Sequence, residues 1–363
     1  MTDNQGICCF FANNNGTICS SPSSPFDACG SMFDSYVLRT ALWLVSLASM
    51  VANLVVIVSR VKSKVPALRD MFSTEVNTNQ NAFLLSLAIA DFLMGVYLLC
   101  IGIADAIFGD SYFLSANGWR NGVWCKVIGF VAFVSNVASI LSLTFVSIER
   151  FFSIVFPYAR LRFGSRLTLW ICVLIWIISG AMALTPIILS VFVQGVFGFS
   201  DVCLGLPFVT VPKITGNDVA FGFSDDGLSL AIVKGDSINL QWLYSQIVYI
   251  YFSSTCVLII TLCYVAMFIS AIANKIRSGR HGNNKQEMRM AMKMSIIVGT
   301  DMICWLPVIV IGILSQAGLE ISINMYAWIA VFVMPINSAF NPFIYTIPTI
   351  KKRKKNEPSF IPV

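Results

Sequence analysis

Seven apolar stretches, each long enough to cross the ~30 Å hydrocarbon layer of a bilayer, recur along this 363-residue chain. They fall at 37–59, 82–104, 124–156, 167–190, 242–272, 290–315 and 323–346. The third and fifth are longer than a bilayer requires, so their ends are expected to project into water. Inside lipid every backbone N–H and C=O needs a partner within its own segment, which leaves the helix as the only form for such stretches. The expected fold class is therefore an all-α membrane protein, a seven-transmembrane helix bundle. The scarcity of charge agrees: 12% of residues are Asp, Glu, Lys or Arg, about half the share in a soluble domain.

Basic residues gather between alternate spans. Arg60, Lys62, Lys64 and Arg69 follow span 1, and Arg160, Arg162 and Arg166 follow span 3. Lys275, Arg277, Arg280, Lys285, Arg289 and Lys293 lie before or at the start of span 6, and Lys351 to Lys355 follow span 7. The positive-inside rule makes that side cytoplasmic and the N-terminus extracellular. Topology and contact with lipid headgroups account for these charges, so the net charge of +6 calls for no nucleic-acid partner. Asp105, Asp110, Asp201, Asp218, Asp225, Asp226, Asp236 and Glu320 fall in the expected outer loops. They would favour a cationic ligand, or are simply the complement of the basic inner side. Met1 to Ser35 is polar and Cys-rich rather than a cleavable leader, so span 1 is expected to act as the insertion signal. The expected organisation is an extracellular Cys-rich segment over 1–36, a transmembrane domain over 37–347 and a short basic tail over 348–363.

Cysteines sort by compartment. Cys8, Cys9, Cys19, Cys29, Cys125 and Cys203 fall outside, where disulfides persist. Cys100, Cys172, Cys256, Cys263 and Cys304 fall within spans, as small apolar packers. Cys125 heads span 3, and Cys203 is the one cysteine in the long loop between spans 4 and 5. Pairing them would pin that loop over the mouth of the bundle. Asn15-Gly16-Thr17 is a glycosylation sequon on the side where it could be used. A single histidine, His281, argues against imidazole catalysis or a His-rich metal site, and no enzyme activity is expected.

Polar residues inside the spans are where mechanism should be sought. Asp91 lies near the middle of span 2. Its possible partners are Asn53 in span 1, Ser135, Asn136, Ser139 and Ser142 in span 3, and Asn337, Ser338 and Asn341 in span 7. Ser135, Ser139 and Ser142 share one helix face. Oxygen ligands around one carboxylate suit a small hard cation, sodium with water, held at Asp91 and Ser139; a hydrogen-bonded packing network without an ion is the alternative. Arg150 lies about 37 Å of helix below Cys125, and Glu287 at the inner end of span 6 is its candidate partner. The alternative is that Arg150 snorkels to headgroups. Asp301 is a second intramembrane acid, and Pro307 and Pro342 each remove a backbone hydrogen bond and are expected to kink spans 6 and 7.

Taken in order, Asn53, Leu87 to Asp91, Trp124-Cys125, Glu149-Arg150-Phe151, Trp176, Cys203, Tyr264, Cys304-Trp305-Leu306-Pro307 and Asn341-Pro342-Phe343-Ile344-Tyr345 resemble the rhodopsin-like (class A) G-protein-coupled receptors over about 36–350. Thr300-Asp301, where most members carry an aromatic, resembles the leucine-rich-repeat receptors for glycoprotein hormones and relaxin-like peptides. Cys8-Cys9-Phe10-Phe11, Cys29 and Tyr36 to Arg39 look like the hinge of those receptors, and Glu149 to Pro157 leans to the relaxin-like branch. The chain holds no leucine-rich repeats and opens within that hinge-like segment. Cys256 stands where most members have a proline, which puts the usual span-5 bulge in question.

The resemblance implies a plasma-membrane receptor for a peptide or protein hormone, acting on a heterotrimeric G protein that stimulates adenylyl cyclase. It implies that Glu287 restrains Arg150 at rest, and that Arg150, Tyr264 and Tyr345 form the active inner surface. Asp91, Ser139, Asn337, Ser338 and Asn341 would form a sodium and water pocket; Asp301 would bond Asn341 or Asn337, and Trp305 would sit beneath the ligand cavity. The alternatives are an ion-coupled transporter using Asp91 and Asp301, which internal repeats would favour though the sequence has none, and a non-signalling ligand-capturing receptor. Span 7 holds no lysine for retinal, and Ala132 stands near the depth where amine receptors carry an acid, so a photopigment and a monoamine receptor are set aside.

Overall fold

The computed structural model describes residues 32–33, 35–62, 75–156, 163–192, 202–204, 221–223, 230–232, 244, 246–278, 299–300, 302–314 and 328–345. Spans 1 to 4 are the helices Tyr36–Lys62, Glu75–Phe108, Val123–Val155 and Ser165–Phe192. Span 5 opens as a π-helical turn, Ile247–Phe252, and continues as the α-helix Ser253–Ser278. Span 6 is described as the helix Met302–Leu314. Span 7 is a second π-helical turn, Ile329–Val333, running into the helix Met334–Tyr345. A short helix, Tyr112–Asn121, precedes span 3.

Five of these helices are long and apolar enough to cross a membrane. Span 3, at 33 residues or about 50 Å, is the centre of the bundle. Its most apolar window is 72% buried, against 17% for span 4. The exposed side chains of span 4 show why a membrane is required. Trp170, Val173, Leu174 and Ile177 form an outward apolar stripe at helical spacing, which lipid solvates and water would not.

Span 2 runs further than the 82–104 expected. Its polar first turns begin at Glu75, and its end reaches Phe108. Asp105, expected in a loop, is instead buried in the last turns of that helix and pairs with Arg39 of span 1. The expected doubt about a span-5 bulge is also corrected. Although Cys256 replaces the proline, a widened turn is present at Ile247–Phe252. Between spans 4 and 5 the chain adds a small antiparallel hairpin, β1 (Phe221–Phe223) with β2 (Leu230–Ile232), in the register Phe221 with Ile232.

Small residues and hydroxyls hold spans 1 and 2 close together. A Cβ on Gly95 would lie 2.7 Å from Met50 Cγ and 3.0 Å from the Met50 backbone N. Ser46 Oγ donates to the Gly95 carbonyl at 3.0 Å, and Ser49 Oγ to the Asp91 carbonyl at 2.8 Å. Each hydroxyl uses the second lone pair of a carbonyl already bonded within its helix. Close helix contact through small residues is the usual means of packing in lipid, where no hydrophobic drive separates helix from tail.

Candidate functional site: a polar core between two helix-end clusters

At one end of the bundle, Cys125 and Cys203 form a disulfide with Cα atoms 5.3 Å apart. Val202, Cys203 and Leu204 are buried there. Cys203 adopts φ +57°, a left-handed conformation uncommon for a side chain of its kind. Tyr97, fully buried in span 2, donates its hydroxyl to the Val202 carbonyl at 2.8 Å. Met32 and Phe33, just before span 1, are buried in the same apolar cluster as Leu42, Tyr97, Tyr112 and Leu204. The Arg39 guanidinium grips Asp105 from span 1: its Nη2 donates to Oδ1 at 3.4 Å, while Nε lies 3.0 Å from Oδ2, off the hydrogen-bonding direction.

Midway down, Asp91 is the centre of the polar core. Ser139 Oγ of span 3 donates to its Oδ1 at 3.1 Å, and Asn341 Nδ2 of span 7 to its Oδ2 at 2.9 Å. All three are buried. Hydrogen bonds to an ionised carboxylate contribute about 1.5–3 kcal/mol each, which offsets part of the cost of placing this group at membrane depth. Asn53 does not reach Asp91. Its Nδ2 donates to the carbonyls of Ser49 at 2.9 Å and Ser338 at 2.8 Å, and so ties span 1 to span 7. The remaining serines of the span-3 face also go elsewhere. Ser135 bonds the Ala90 carbonyl at 2.7 Å, and Ser142 meets Ser86 at 3.1 Å, where Trp176 Nε1 of span 4 also donates. The amide oxygens of Asn53, Asn337 and Asn341 are buried without a donor among the described residues.

At the other end, Glu149 and Arg150 are both buried, with Arg150 Nε 3.3 Å from Glu149 Oε2. Arg150 Nε and Nη2 make no hydrogen bond among the described residues. Tyr264 of span 5 is half-buried beside Val56, Leu84, Leu143 and Ile260. Trp305 is buried against Phe133, Val137, Val248 and Met334, and Pro307 lies half-buried within the span-6 helix. Pro342 is buried within span 7. Asn15, Glu287 and Asp301, and the side chain of Tyr345, lie outside the described residues.

Ser46, Ser49, Ser86, Tyr97 and the Arg39–Asp105 pair were not singled out from sequence. Ser49 carries a usable signal, one turn before Asn53 in an otherwise apolar helix. Tyr97 carries none, because its partner is a loop carbonyl more than a hundred positions away.

Apolar helices joined through buried carboxylate, amide and hydroxyl groups make a multi-pass membrane protein. The chain belongs to the 7 transmembrane receptor (rhodopsin family), whose profile matches residues 52–204 and 233–345. Membership places it in the plasma membrane, within a family of receptors rather than enzymes. It is 34% identical over 350 residues to G-protein coupled receptor GRL101 of Lymnaea stagnalis, covering 96% of this chain and 28% of that protein. It is 31% identical over 316 residues to human Relaxin receptor 1, covering 87% of this chain and 37% of that one. A third relative, a "Probable glycoprotein hormone G-protein coupled receptor" of Anthopleura elegantissima, is 28% identical over 335 residues, covering 91% of this chain and 31% of that protein. The chain thus spans about a third of the length of these relatives.

Proposed function

We propose that this chain is the membrane-spanning part of a receptor for a peptide or protein hormone, with its N-terminus outside the cell, and that it passes the binding event to a heterotrimeric G protein. The observation that carries this reading is the buried network at Asp91. It draws spans 2, 3 and 7 to one carboxylate, with span 1 attached through Ser49 and Asn53. A network of this kind has two discrete arrangements available, and ligand and G protein each bias the choice. Their effects are then reciprocal: the G protein raises hormone affinity by the factor by which hormone raises G-protein affinity.

In the resting state Glu287 restrains Arg150. On activation Arg150, Tyr264 and Tyr345 form the surface that meets the G protein, while Glu149 and the turn at Asn341-Pro342 set its geometry. Asp301, Trp305 and Pro307 form the moving part of span 6. A sodium ion suits the core, since among the described residues Asp91 is its one charged side chain and the buried oxygens of Asn53, Asn337 and Asn341 lack donors. Asp91 and Ser139 would hold the ion, with Asn337, Ser338 and Asn341 around them; it would stabilise the resting arrangement. The Cys-rich segment over 1–36, the bundle over 37–347 and the basic tail over 348–363 act as hinge, switch and lipid-facing anchor.

The test needs no ligand. Basal G-protein activation is measured in cells expressing wild type, Glu287→Ala and Arg150→Ala at matched surface levels. Glu287→Ala is expected to raise it and Arg150→Ala to lower it. Three proteins at vector background with normal surface expression would refute the reading in favour of ligand capture without signalling, or of ion transport.

A further inference from the structure

We infer that spans 3 and 5 carry a two-position joint, in which Asn136 Nδ2 donates to the Tyr249 hydroxyl in one state and not in the state described here. Asn136 is 7% exposed and Tyr249 2%. Asn136 Nδ2 and Tyr249 Oη have no hydrogen-bond partner among the described residues. Both residues line one small cavity, whose walls include Phe133, Val137, Val248 and Trp305. Two unpaired polar groups in an apolar surround each carry a full desolvation penalty, and pairing them with each other removes both.

The second observation is independent of the first. Tyr249 sits inside the π-helical turn Ile247–Phe252. Such turns hold one extra residue and recur at functional sites. Moving the extra residue along the helix exchanges one backbone hydrogen bond for another, and it swings the side chains it passes by about 100°. No proline, with its missing N–H and fixed φ, pins the backbone of this stretch, and Cys256 follows it. A hydroxyl holds the present register: Ser253 Oγ donates to the Val248 carbonyl at 3.1 Å. The ring of Tyr249 meets Phe133 edge-on with centroids 5.8 Å apart, so the phenol moves against an aromatic face that adapts to either position. The joint acts beside Trp305, which links it to span 6. Its role in signalling rests on the receptor reading above; its existence does not.

The test uses the purified full chain with 3-fluorotyrosine placed at position 249 alone. Its fluorine spectrum is expected to show two resonances, with the minor one lost in Asn136→Leu. One resonance indifferent to Asn136→Leu would overturn the joint whether or not the chain signals. In cells, Tyr249→Phe and Asn136→Leu are each expected to lower basal G-protein activation about fivefold, the worth of one buried hydrogen bond, and the double variant no further than either single. Two losses that multiply would overturn the pairing. A wild type without basal activity would count against the receptor reading and leave the fluorine result to decide the joint.

Discussion

Gly95→Ala adds one methyl group at the tightest point between spans 1 and 2. That methyl would stand 2.7 Å from Met50 Cγ, 3.0 Å from the Met50 backbone N and 3.2 Å from the Ser46 carbonyl oxygen. The Met50 side chain can turn away, but the two backbone atoms belong to a helix and cannot. The spans must therefore part by a few tenths of an ångström. Overpacking of this kind costs about 1–3 kcal/mol. Separation also stretches the Ser46 bond to the Gly95 carbonyl, which is worth about 1 kcal/mol. Alanine's better helix propensity returns about 1 kcal/mol, so the net loss is about 2 kcal/mol. The assay is thermal unfolding of the purified protein in detergent, followed by circular dichroism. The control is Gly180→Ala in span 4, where a Cβ meets nothing within 4 Å and only the propensity gain of about 1 kcal/mol remains. The two substitutions are chemically identical and are expected to shift the midpoint in opposite directions. Shifts of the same sign, or a Gly95→Ala midpoint equal to wild type, would refute the packing argument.

Three further outcomes are expected. Asp91→Asn keeps the shape but removes the one charge bonded by Ser139 and Asn341, so basal signalling should lose its dependence on sodium when sodium is exchanged for a large organic cation. Cys203→Ser opens a link across 78 residues, worth up to about 4.5 kcal/mol by loop-closure entropy, and less in lipid, where the unfolded chain is already confined; chemical unfolding in detergent measures it. Arg39→Ala leaves Asp105 buried without its guanidinium. Since the Arg39 side chain is 26% exposed, the loss should sit at the low end for charged hydrogen bonds, about 1.5 kcal/mol, in the same measurement.

Hydropathy made the spans legible because lipid imposes a length and forbids unpaired backbone. It said nothing of where helices continue into water. Span 2 therefore begins at Glu75, in a polar turn, and Asp105, one residue past the span end that hydropathy gives, stays in the helix paired with Arg39. Spacing placed Ser135, Ser139 and Ser142 on one face of span 3. It could not say which of them reaches Asp91, because that depends on the height of span 2 beside it; one turn up meets the Ala90 carbonyl and one turn down meets Ser86. Asn53 faces the core, yet its amide spans two backbone carbonyls instead of the carboxylate. The π-helical turn of span 5 left no trace in residue type, since Cys256 in place of proline pointed the other way. Partners set by three-dimensional height and by backbone atoms are what a linear pattern leaves out.

Beyond their apolar burial, Val202–Leu204 are tied to the bundle among the described residues in two chemically different ways. One line is covalent, between Cys125 and Cys203, and a reductant can sever it. The other is the Tyr97 hydroxyl on the Val202 carbonyl, buried in span 2 and indifferent to redox conditions. Reduction would thus slacken this segment without setting it adrift. Thiol treatment should give a graded loss of order there, and a chain that has lost both ties should hold the loop less well than one that has lost the disulfide alone.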